Sequence, residues 1–301
     1  MATTGPELTD MDKEIDLYGK PGWDRQLGNY AGWAACFVGV LLVAAPLIWL
    51  VWGVVARAVP VWHWDVLTTS GSAEGGGLLN LIVGTLVLMV GVAILAGAVG
   101  VLSGIYLAEF ASGRWGSFLR GASEVLAGIP SIVLGYVGYV ALVIGLQWKY
   151  SIWAAFLVLT ALTVPYIAKS TEASLRQVPT AYREGAEGLG LSPLRTLSRI
   201  TLKAAAPGIT TGLLVAMAIS VGETAPLLYT ANFSNGMPTF GLHNSPVGYL
   251  TYAVYTYWDS SFKSFQDLSY DAALILLVMV FLLIVGARLV IGLTQRHTER
   301  N

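Results

Sequence analysis

Hydrophobic residues in this chain are gathered into long stretches, and most charged residues fall between them. The first stretch, residues 30–56, contains no charged residue and is long enough to cross about 30 Å of hydrocarbon as a helix. Five further apolar stretches follow, at residues 78–108, 122–146, 152–168, 206–231 and 272–293. The pattern therefore predicts an all-α membrane protein with six transmembrane helices.

These stretches divide the chain into segments. Residues 1–29 form a polar tail before the first span, 30–56, and residues 57–77 form a loop that ends in a Gly-rich run. Residues 78–293 form a core with the other five spans. Within this core lies one long basic segment, residues 181–203, which we call the basic loop. A second short tail, residues 294–301, follows the last span.

Prolines and aromatic residues modify this helical plan. Pro130 predicts a kink near the start of the third span, and Pro165 predicts that the fourth span breaks or bends at its end. Tyrosine and tryptophan residues at 249–258 predict an additional helix along the membrane surface. The second span is rich in glycine, which allows helix backbones to approach closely in lipid.

The distribution of basic residues predicts the orientation in the membrane. If the N-terminus is inside and the chain crosses six times, only Arg57, Lys149 and Lys263 of the 17 lysines and arginines lie outside. Loops on the cytoplasmic side carry an excess of Lys and Arg. We therefore expect both termini and the basic loop to be cytoplasmic.

Composition excludes several classes of function. Only 12% of the residues are charged and the net charge is −1, so nothing indicates a nucleic-acid partner. The single cysteine, Cys36, cannot form a disulfide within the chain, and the three histidines are far apart. No phosphate-binding loop or dinucleotide motif is present. We expect no metal, cofactor or catalytic residue in this chain, so any ATP must be bound by another protein.

The basic loop has the pattern of two helices separated by glycine. Residues 182–189 predict a first helix, and Gly190 can adopt the left-handed conformation that ends it. Ser192 and Pro193 are suited to the start of a second helix. In this second helix Leu194, Leu197 and Ile200 form an apolar face at helical spacing. The pattern fits docking onto a soluble partner, although helical hairpins are common in the cytosolic loops of membrane proteins.

The spacing in the basic loop resembles a motif of bacterial ABC importer permeases, the EAA loop. That motif reads E-A-A, three residues, G, nine residues, I, one residue, L-P, and here Glu184, Gly190 and Ile200 occupy its positions. Gly185 and Lys203 depart from it. The resemblance implies the type I ABC importer (MetI-like) permease fold, with a cytosolic coupling helix that includes Leu194 and Leu197.

A second motif narrows the resemblance. Residues 222–231 read GETAPLLYTA, which resembles a segment of the phosphate-specific permeases within the type I family. Weaker matches lie at residues 104–109, 127–133, 165–172 and 175–179. A permease for another oxyanion or small solute is the alternative, and a six-span membrane enzyme or scaffold is a more distant one.

The resemblance implies a set of partners. A homologous permease subunit, PstC, would form the other half of the pathway, and a dimeric ATPase, PstB, would bind ATP and Mg. A phosphate-binding protein, PstS, would deliver the substrate from outside. The resemblance also implies that the protein resides in the bacterial plasma (inner) membrane and imports phosphate.

Three residues are candidates for the substrate pathway: Glu223, Thr224 and Lys169. A carboxylate in an apolar span costs several kcal/mol, so Glu223 is a functional candidate by default. It could instead be a structural residue or reach the outer interface. Lys169 could attract an anion at the inner mouth or simply follow the positive-inside rule. Glu109 and Glu124 are more easily interpreted as interfacial charges or members of local ion pairs than as ligands.

Overall fold

The computed structural model describes residues 23–71 and 76–298. This part of the chain is helical, with a single isolated bridge between Ser151 and Ser245. The α-helices are α1 Trp23–Ala58, α2 Leu79–Glu109, α3 Gly113–Gly128, α4 Ser131–Gly138, α5 Ile152–Arg176, α6 Thr180–Gly188, α7 Pro193–Thr196, α8 Leu202–Gly222, α9 Ala225–Thr230, α10 Leu250–Tyr257 and α11 Lys263–Thr298. Short 3₁₀ turns at Val59–Val61 and Trp64–Leu67 follow α1, and π-helical turns at Tyr139–Gly145 and Leu197–Thr201 extend α4 and join α7 to α8.

The chain divides into two units, with the boundary between Val54 and Val55. In the first unit the structure describes most of α1, which already begins at Trp23, so the predicted tail of residues 1–29 overlaps the helix. Residues 1–22 of that predicted tail lie outside the described residues, as do residues 299–301 of the second tail. All the sites considered below lie in the second unit.

Five described helices are long and apolar enough to cross a membrane, and a bent pair would make a sixth. The bent pair is α3 with α4, whose axes meet at 95°. The prediction of a kink near Pro130 is thus confirmed, but the third span does not run straight from 122 to 146. Pro130 disfavours the helical conformation at Ile129, which is extended (φ −69°, ψ 129°). As a result α3 and α4 point in different directions.

Glycines of α2 allow it to lie directly against α5. A Cβ atom at Gly100 would lie 2.7 Å from the Cβ atom of Ile167, and one at Gly104 would lie 2.6 Å from the Ala168 carbonyl oxygen. Any larger residue would force the two helices apart. The Gly-rich pattern of the second span therefore has the packing role that the sequence predicted.

Two predicted helix ends are absent from the structure. α5 continues through Pro165 to Arg176, so of the two effects predicted for this proline, a break or a bend, the break does not occur. Pro165 is buried in the helix, and packing against neighbouring helices offsets the missing backbone hydrogen bond. Likewise, the helix that starts at Pro193 continues without interruption into α8, so the basic loop leads directly into the fifth span.

The fifth span ends earlier than predicted. α8 ends at Gly222, and α9 begins only at Ala225, so the predicted continuous span 206–231 is wrong. The interruption falls within the GETAPLLYTA motif. α9 packs on α4, and a Cβ atom at Gly135 would lie only 2.5 Å from the Cα atom of Pro226.

The predicted surface helix exists as α10, but it is partly enclosed by the protein. Tyr249 and Leu250 are almost fully buried, whereas Tyr255 and Trp258 are about 60% exposed. α10 packs on α11, and the ring of Tyr252 stacks on Phe233 with centroids 4.3 Å apart. The helix is therefore an integral part of the core rather than an element lying on a surface.

Candidate functional site

The basic loop has the helix–glycine–helix structure that the sequence predicted. α6 ends at Gly188, and Gly190 has a φ of +73°, the left-handed region in which a side chain would be strained. Ser192 is the N-cap residue and Pro193 the first helical residue of α7, although the Ser192 side chain makes no capping hydrogen bond. The loop thus reverses the chain within a few residues and returns it to α8.

A bidentate ion pair attaches the basic loop to α2. The guanidinium of Arg183 donates to both carboxylate oxygens of Glu109, at 2.6 and 2.7 Å. Arg183 also donates to the Leu175 carbonyl oxygen at 3.4 Å. The hydrogen bond with Glu109 raises the pKa of Arg183, so the guanidinium remains charged. Two parallel charge-assisted bonds fix orientation as well as distance, so α6 and the end of α2 are firmly linked.

A second group of charges joins α3 to α5. Arg120 donates through Nε to Glu172 at 2.6 Å, and through its terminal nitrogen to the Leu107 and Ala111 carbonyl oxygens. Arg176, one turn beyond Glu172, also pairs with it at 2.9 Å. Glu109 and Glu124 were predicted to be interfacial charges or members of local ion pairs, and both do form ion pairs. The partners, however, come from distant helices, which sequence spacing did not reveal.

The apolar face predicted for the second helix of the basic loop is divided between interior and surface. Leu197 packs against a buried cluster around Leu175 and Ala205, and Ile200 is half-buried. In contrast, Leu194 is 72% exposed, and Glu184 is exposed as well. Two exposed apolar residues of the loop were not predicted, Tyr182 and Leu189, which are 56% and 82% exposed. The sequence did indicate their exposure, because Tyr182 lies on a polar helix and Leu189 directly follows the end of that helix.

Glu223 and Thr224 form the interruption between α8 and α9. Glu223 has extended backbone angles (φ −71°, ψ 131°) and is half-buried. Its carboxylate makes no hydrogen bond or ion pair with any residue in the described part of the chain. An interrupted span is tolerated in a membrane where the backbone is buried in protein or lines a polar cavity. The carboxylate is therefore held at a break and remains available to a ligand or partner.

Two threonines that the sequence analysis did not single out hold this break in place. The hydroxyl of Thr251, on α10, donates to the Glu223 carbonyl oxygen at 2.9 Å. The hydroxyl of Thr85, on α2, accepts from the Leu250 backbone N–H at 2.9 Å and donates to the Leu81 carbonyl oxygen. The break is thus connected through α10 to α2. The sequence could have indicated this connection, because Thr85 places a hydroxyl group within an apolar span.

The three predicted pathway residues do not form one site. Glu223 and Thr224 are adjacent, but Lys169 lies elsewhere along the helix pair α5 and α8. Gly212 of α8 faces Ser170, since a Cβ atom there would collide with the serine side chain. Gly222, next to Glu223, lies about 15 Å further along α8, at about 1.5 Å per residue. Lys169 instead approaches Glu124, at 3.5 Å, and both side chains are largely exposed.

No three His, Cys, Asp or Glu side chains of the described residues are arranged to hold a metal ion. The candidate functional groups in the described residues are a half-buried carboxylate at a helix break and the basic loop with its exposed apolar residues. Together with five or six apolar helices, these features define a membrane permease component, not a soluble binding domain.

Comparison with known proteins supports this class of protein and identifies a particular family within it. The family model described as "Binding-protein-dependent transport system inner membrane component" matches residues 100–298. A Mycobacterium bovis protein named "Phosphate transport system permease protein PstA 2" is 56% identical over 275 residues, covering 91% of each chain. A Yersinia pestis protein named "Phosphate transport system permease protein PstA" is 33% identical over 278 residues, covering 90% of this chain and 92% of its own.

Solved structures with the same fold are membrane components of ABC transporters. A chain of a bacterial alginate ABC transporter gives a TM-score of 0.65 at 13% identity, over 88% of this chain and 95% of that one. A chain of the MetNI methionine ABC transporter gives a TM-score of 0.62 at 18% identity, over 72% of this chain and 95% of that one. At these identities the likeness shows the fold alone.

This chain therefore belongs to the family of binding-protein-dependent transport system inner membrane components, and within it to the PstA permeases. It is a multi-pass inner-membrane permease subunit of an ABC transporter.

Proposed function

We propose that this chain is a permease subunit of an ATP-driven phosphate importer. It forms half of the translocation pathway, and a homologous permease of the PstC type forms the other half. A dimeric ATPase of the PstB type binds ATP and Mg, and a binding protein of the PstS type delivers phosphate. Support comes from the names of the relatives that match over 90% or more of this chain, and from the GETAPLLYTA motif, whose first residues form the break between α8 and α9.

The orientation follows from the charge distribution. We place both termini and the basic loop in the cytoplasm, because all but three of the lysines and arginines then lie on that side. The loop 57–77 and the segment between α9 and α11 are then external.

The basic loop is the contact for the ATPase. The side of the loop that carries Arg183 and Leu197 is attached to α2 and α5, so it cannot also be the docking surface. The exposed apolar side chains, Tyr182, Leu189 and Leu194, are the contact we propose instead. Leu197, which the sequence predicted at the ATPase contact, packs against the interior of the chain, and the contact proposed here therefore does not include it. Movement of the docked loop reaches α2 through the Arg183–Glu109 pair.

Glu223 selects phosphate at the break in the span. Phosphate near neutral pH carries one or two protons, whereas sulfate carries none. An ionised Glu223 can accept a hydrogen bond from a P–OH group, while sulfate offers it only repulsion, which is a penalty against the wrong ligand. The half-buried carboxylate, which has no partner among the described residues, is the observation that carries this proposal.

The test compares Glu223→Gln with wild type in the full complex, reconstituted in lipid. We expect slower phosphate uptake, by about tenfold or more, because a hydrogen bond to a charged group contributes about 1.5–3 kcal/mol. The difference between phosphate and sulfate in stimulating ATP hydrolysis should also narrow. Glu187→Gln, an exposed glutamate of α6, serves as the matched control and should leave selectivity unchanged.

A rival role for Glu223 is pairing with a cation of the partner permease as a gate. In that case a compensating charge change in the partner rescues Glu223→Gln, and the discrimination between phosphate and sulfate does not move. Measuring both ligands with the binding protein supplied and then omitted separates the two roles. Unchanged selectivity in both conditions would contradict the hydrogen-bond role.

A further inference from the structure

An acidic pocket lies in the second unit, away from both the basic loop and the Glu223 break. Its volume is about 450 Å³, within the range of about 300–1,000 Å³ of pockets that bind small molecules. Three aspartates are in its wall, Asp65 from the turn after α1 and Asp267 and Asp271 from the first turns of α11. His63 contributes the only other ionisable side chain among its lining residues.

Asp271 is the central residue of this pocket. It is 2% exposed, and its Oδ1 atom has no hydrogen-bond partner among the described residues. A buried carboxylate without a partner is costly, since burial of a charge must be compensated by pairing. Asp267, one helical turn before Asp271 on the same face of α11, adds to the cost through like-charge repulsion. The fold therefore holds two carboxylates together where a cation would stabilise both.

The basic side chains nearest in sequence do not supply this cation. Arg57 donates to the Tyr270 hydroxyl and lies over the ring of the same tyrosine, 5.2 Å from its centroid. Lys263 starts α11 and forms no ion pair with another described residue. Asp65 and His63 are exposed at the rim, so the pocket reaches the surface there. Among the lining residues only His63 can carry a positive charge, and it forms no ion pair with Asp271, so the described pocket lacks a paired compensating charge.

We propose that the acidic pocket receives a lysine or arginine side chain of the binding protein that delivers substrate. The proposal rests on the proposed function, which places the loop 57–77 and the start of α11 on the outer side, where that protein docks. Charge complementarity identifies the occupant as cationic. The size of the pocket favours a side-chain ammonium or guanidinium over a bare ion. The described residues also lack a metal-binding arrangement of three ligands.

Such a contact would provide both attraction and position. Asp65 at the rim would attract the basic side chain, and Asp271 at the base would form the desolvated pair. Exposed charges mainly raise the rate of association, whereas a buried pair mainly slows dissociation. A single inserted side chain would thus set where the binding protein releases its ligand above the permease.

The test uses the complete transporter in lipid nanodiscs and its purified binding protein loaded with phosphate. We compare wild type with Asp267→Asn, Asp271→Asn and the double variant. The dissociation constant of the binding protein should rise roughly 30-fold or more in the double variant, as expected when one partner of a buried charge pair is removed. Asp259→Asn, an exposed aspartate between α10 and α11, is the matched control and should change it less than about twofold, since rim charges contribute little.

Two further measurements decide the outcome. A scan of Lys and Arg to Ala in the binding protein should find one residue whose loss has no additional effect in Asp271→Asn. An affinity that is unchanged in Asp267→Asn and in Asp271→Asn would overturn the proposal. So would an ion-specific rise in melting temperature with Na⁺, K⁺, Mg²⁺ or Ca²⁺ that disappears in Asp271→Asn while binding-protein affinity is kept, because the occupant is then a small cation.

Failure of the proposed function gives a different result. If the wild-type complex responds to a binding protein loaded with another solute but not to phosphate, the phosphate assignment fails. The acidic pocket is then judged by the same affinity comparison with that binding protein.

Discussion

Carboxylates near the basic loop and carboxylates in the acidic pocket have opposite environments. Near the basic loop, Glu109, Glu124 and Glu172 each form an ion pair within the chain. In the acidic pocket, Asp267 and Asp271 form none with the described residues, although Asp271 is the most buried of these carboxylates. The three carboxylates of the first region are neutralised within the chain, as expected of a scaffold that transmits movement. The carboxylates of the acidic pocket have no such ion pair, as expected of a surface that binds a cationic group from a partner.

Reversing the charge of Glu109 is the change with the largest expected effect. Glu109→Arg places two guanidiniums in contact, and we expect a loss of about 3 kcal/mol of stability, at the low end for buried pairs because Arg183 remains 33% exposed. Transport should be lost with it. The melting temperature of the purified chain and the ratio of phosphate transported to ATP hydrolysed are the measurements.

The double variant Glu109→Arg with Arg183→Glu is the control for this charge reversal. It restores the ion pair with the acidic and basic residues exchanged between the two positions. The double variant should therefore recover most of the melting temperature and of the ratio of phosphate transported to ATP hydrolysed. Glu187→Arg, on the exposed side of α6, should leave the melting temperature unchanged. A single reversal with normal coupling would show that the pair does not connect the basic loop to α2.

Neutralising one carboxylate from each region should give effects of opposite sign. Glu172→Gln removes the charge that Arg120 and Arg176 share, and we expect a loss of about 1.5–3 kcal/mol. Asp271→Asn removes an unpaired buried charge, and we expect a gain of about 1 kcal/mol in the isolated chain. Thermal unfolding in detergent measures both. A loss of stability in Asp271→Asn would mean that its carboxylate already has a partner, which contradicts the contrast between the regions.

The sequence predicted features that depend on neighbouring residues and missed those that depend on residues distant in the chain. Hydropathy located the spans, and local backbone chemistry predicted the left-handed Gly190 and the kink at Pro130, because both depend on adjacent residues. The pairing of Glu109 with Arg183 could not be predicted, since the two residues are brought together only by the packing of α2, α5 and α6.

The errors at Pro165 and at Glu223 have the same origin. Pro165 looks like a helix end when its own conformational limits are considered alone, but the surrounding helices keep α5 continuous. Glu223 lies in a stretch that is apolar enough to continue α8. The break is stabilised by the hydroxyl of Thr251, which is distant in sequence. The sequence showed that a carboxylate is present, but it did not predict the helix break at which this carboxylate lies.

The smallest effect is expected at Lys169, where the sequence left two roles open. Its pair with Glu124 is 3.5 Å long, with the side chains 72% and 65% exposed, and exposed pairs contribute about 0–1 kcal/mol. Lys169→Gln and Glu124→Gln should therefore both leave the melting temperature nearly unchanged. If Lys169 attracts phosphate at the inner mouth, as its candidate pathway role requires, only Lys169→Gln should slow phosphate uptake, and this difference should disappear at high salt because exposed charges are screened. Equal uptake in the two variants would assign Lys169 to the positive-inside pattern alone, and the pathway residues of this chain would then be confined to the break at Glu223 and Thr224.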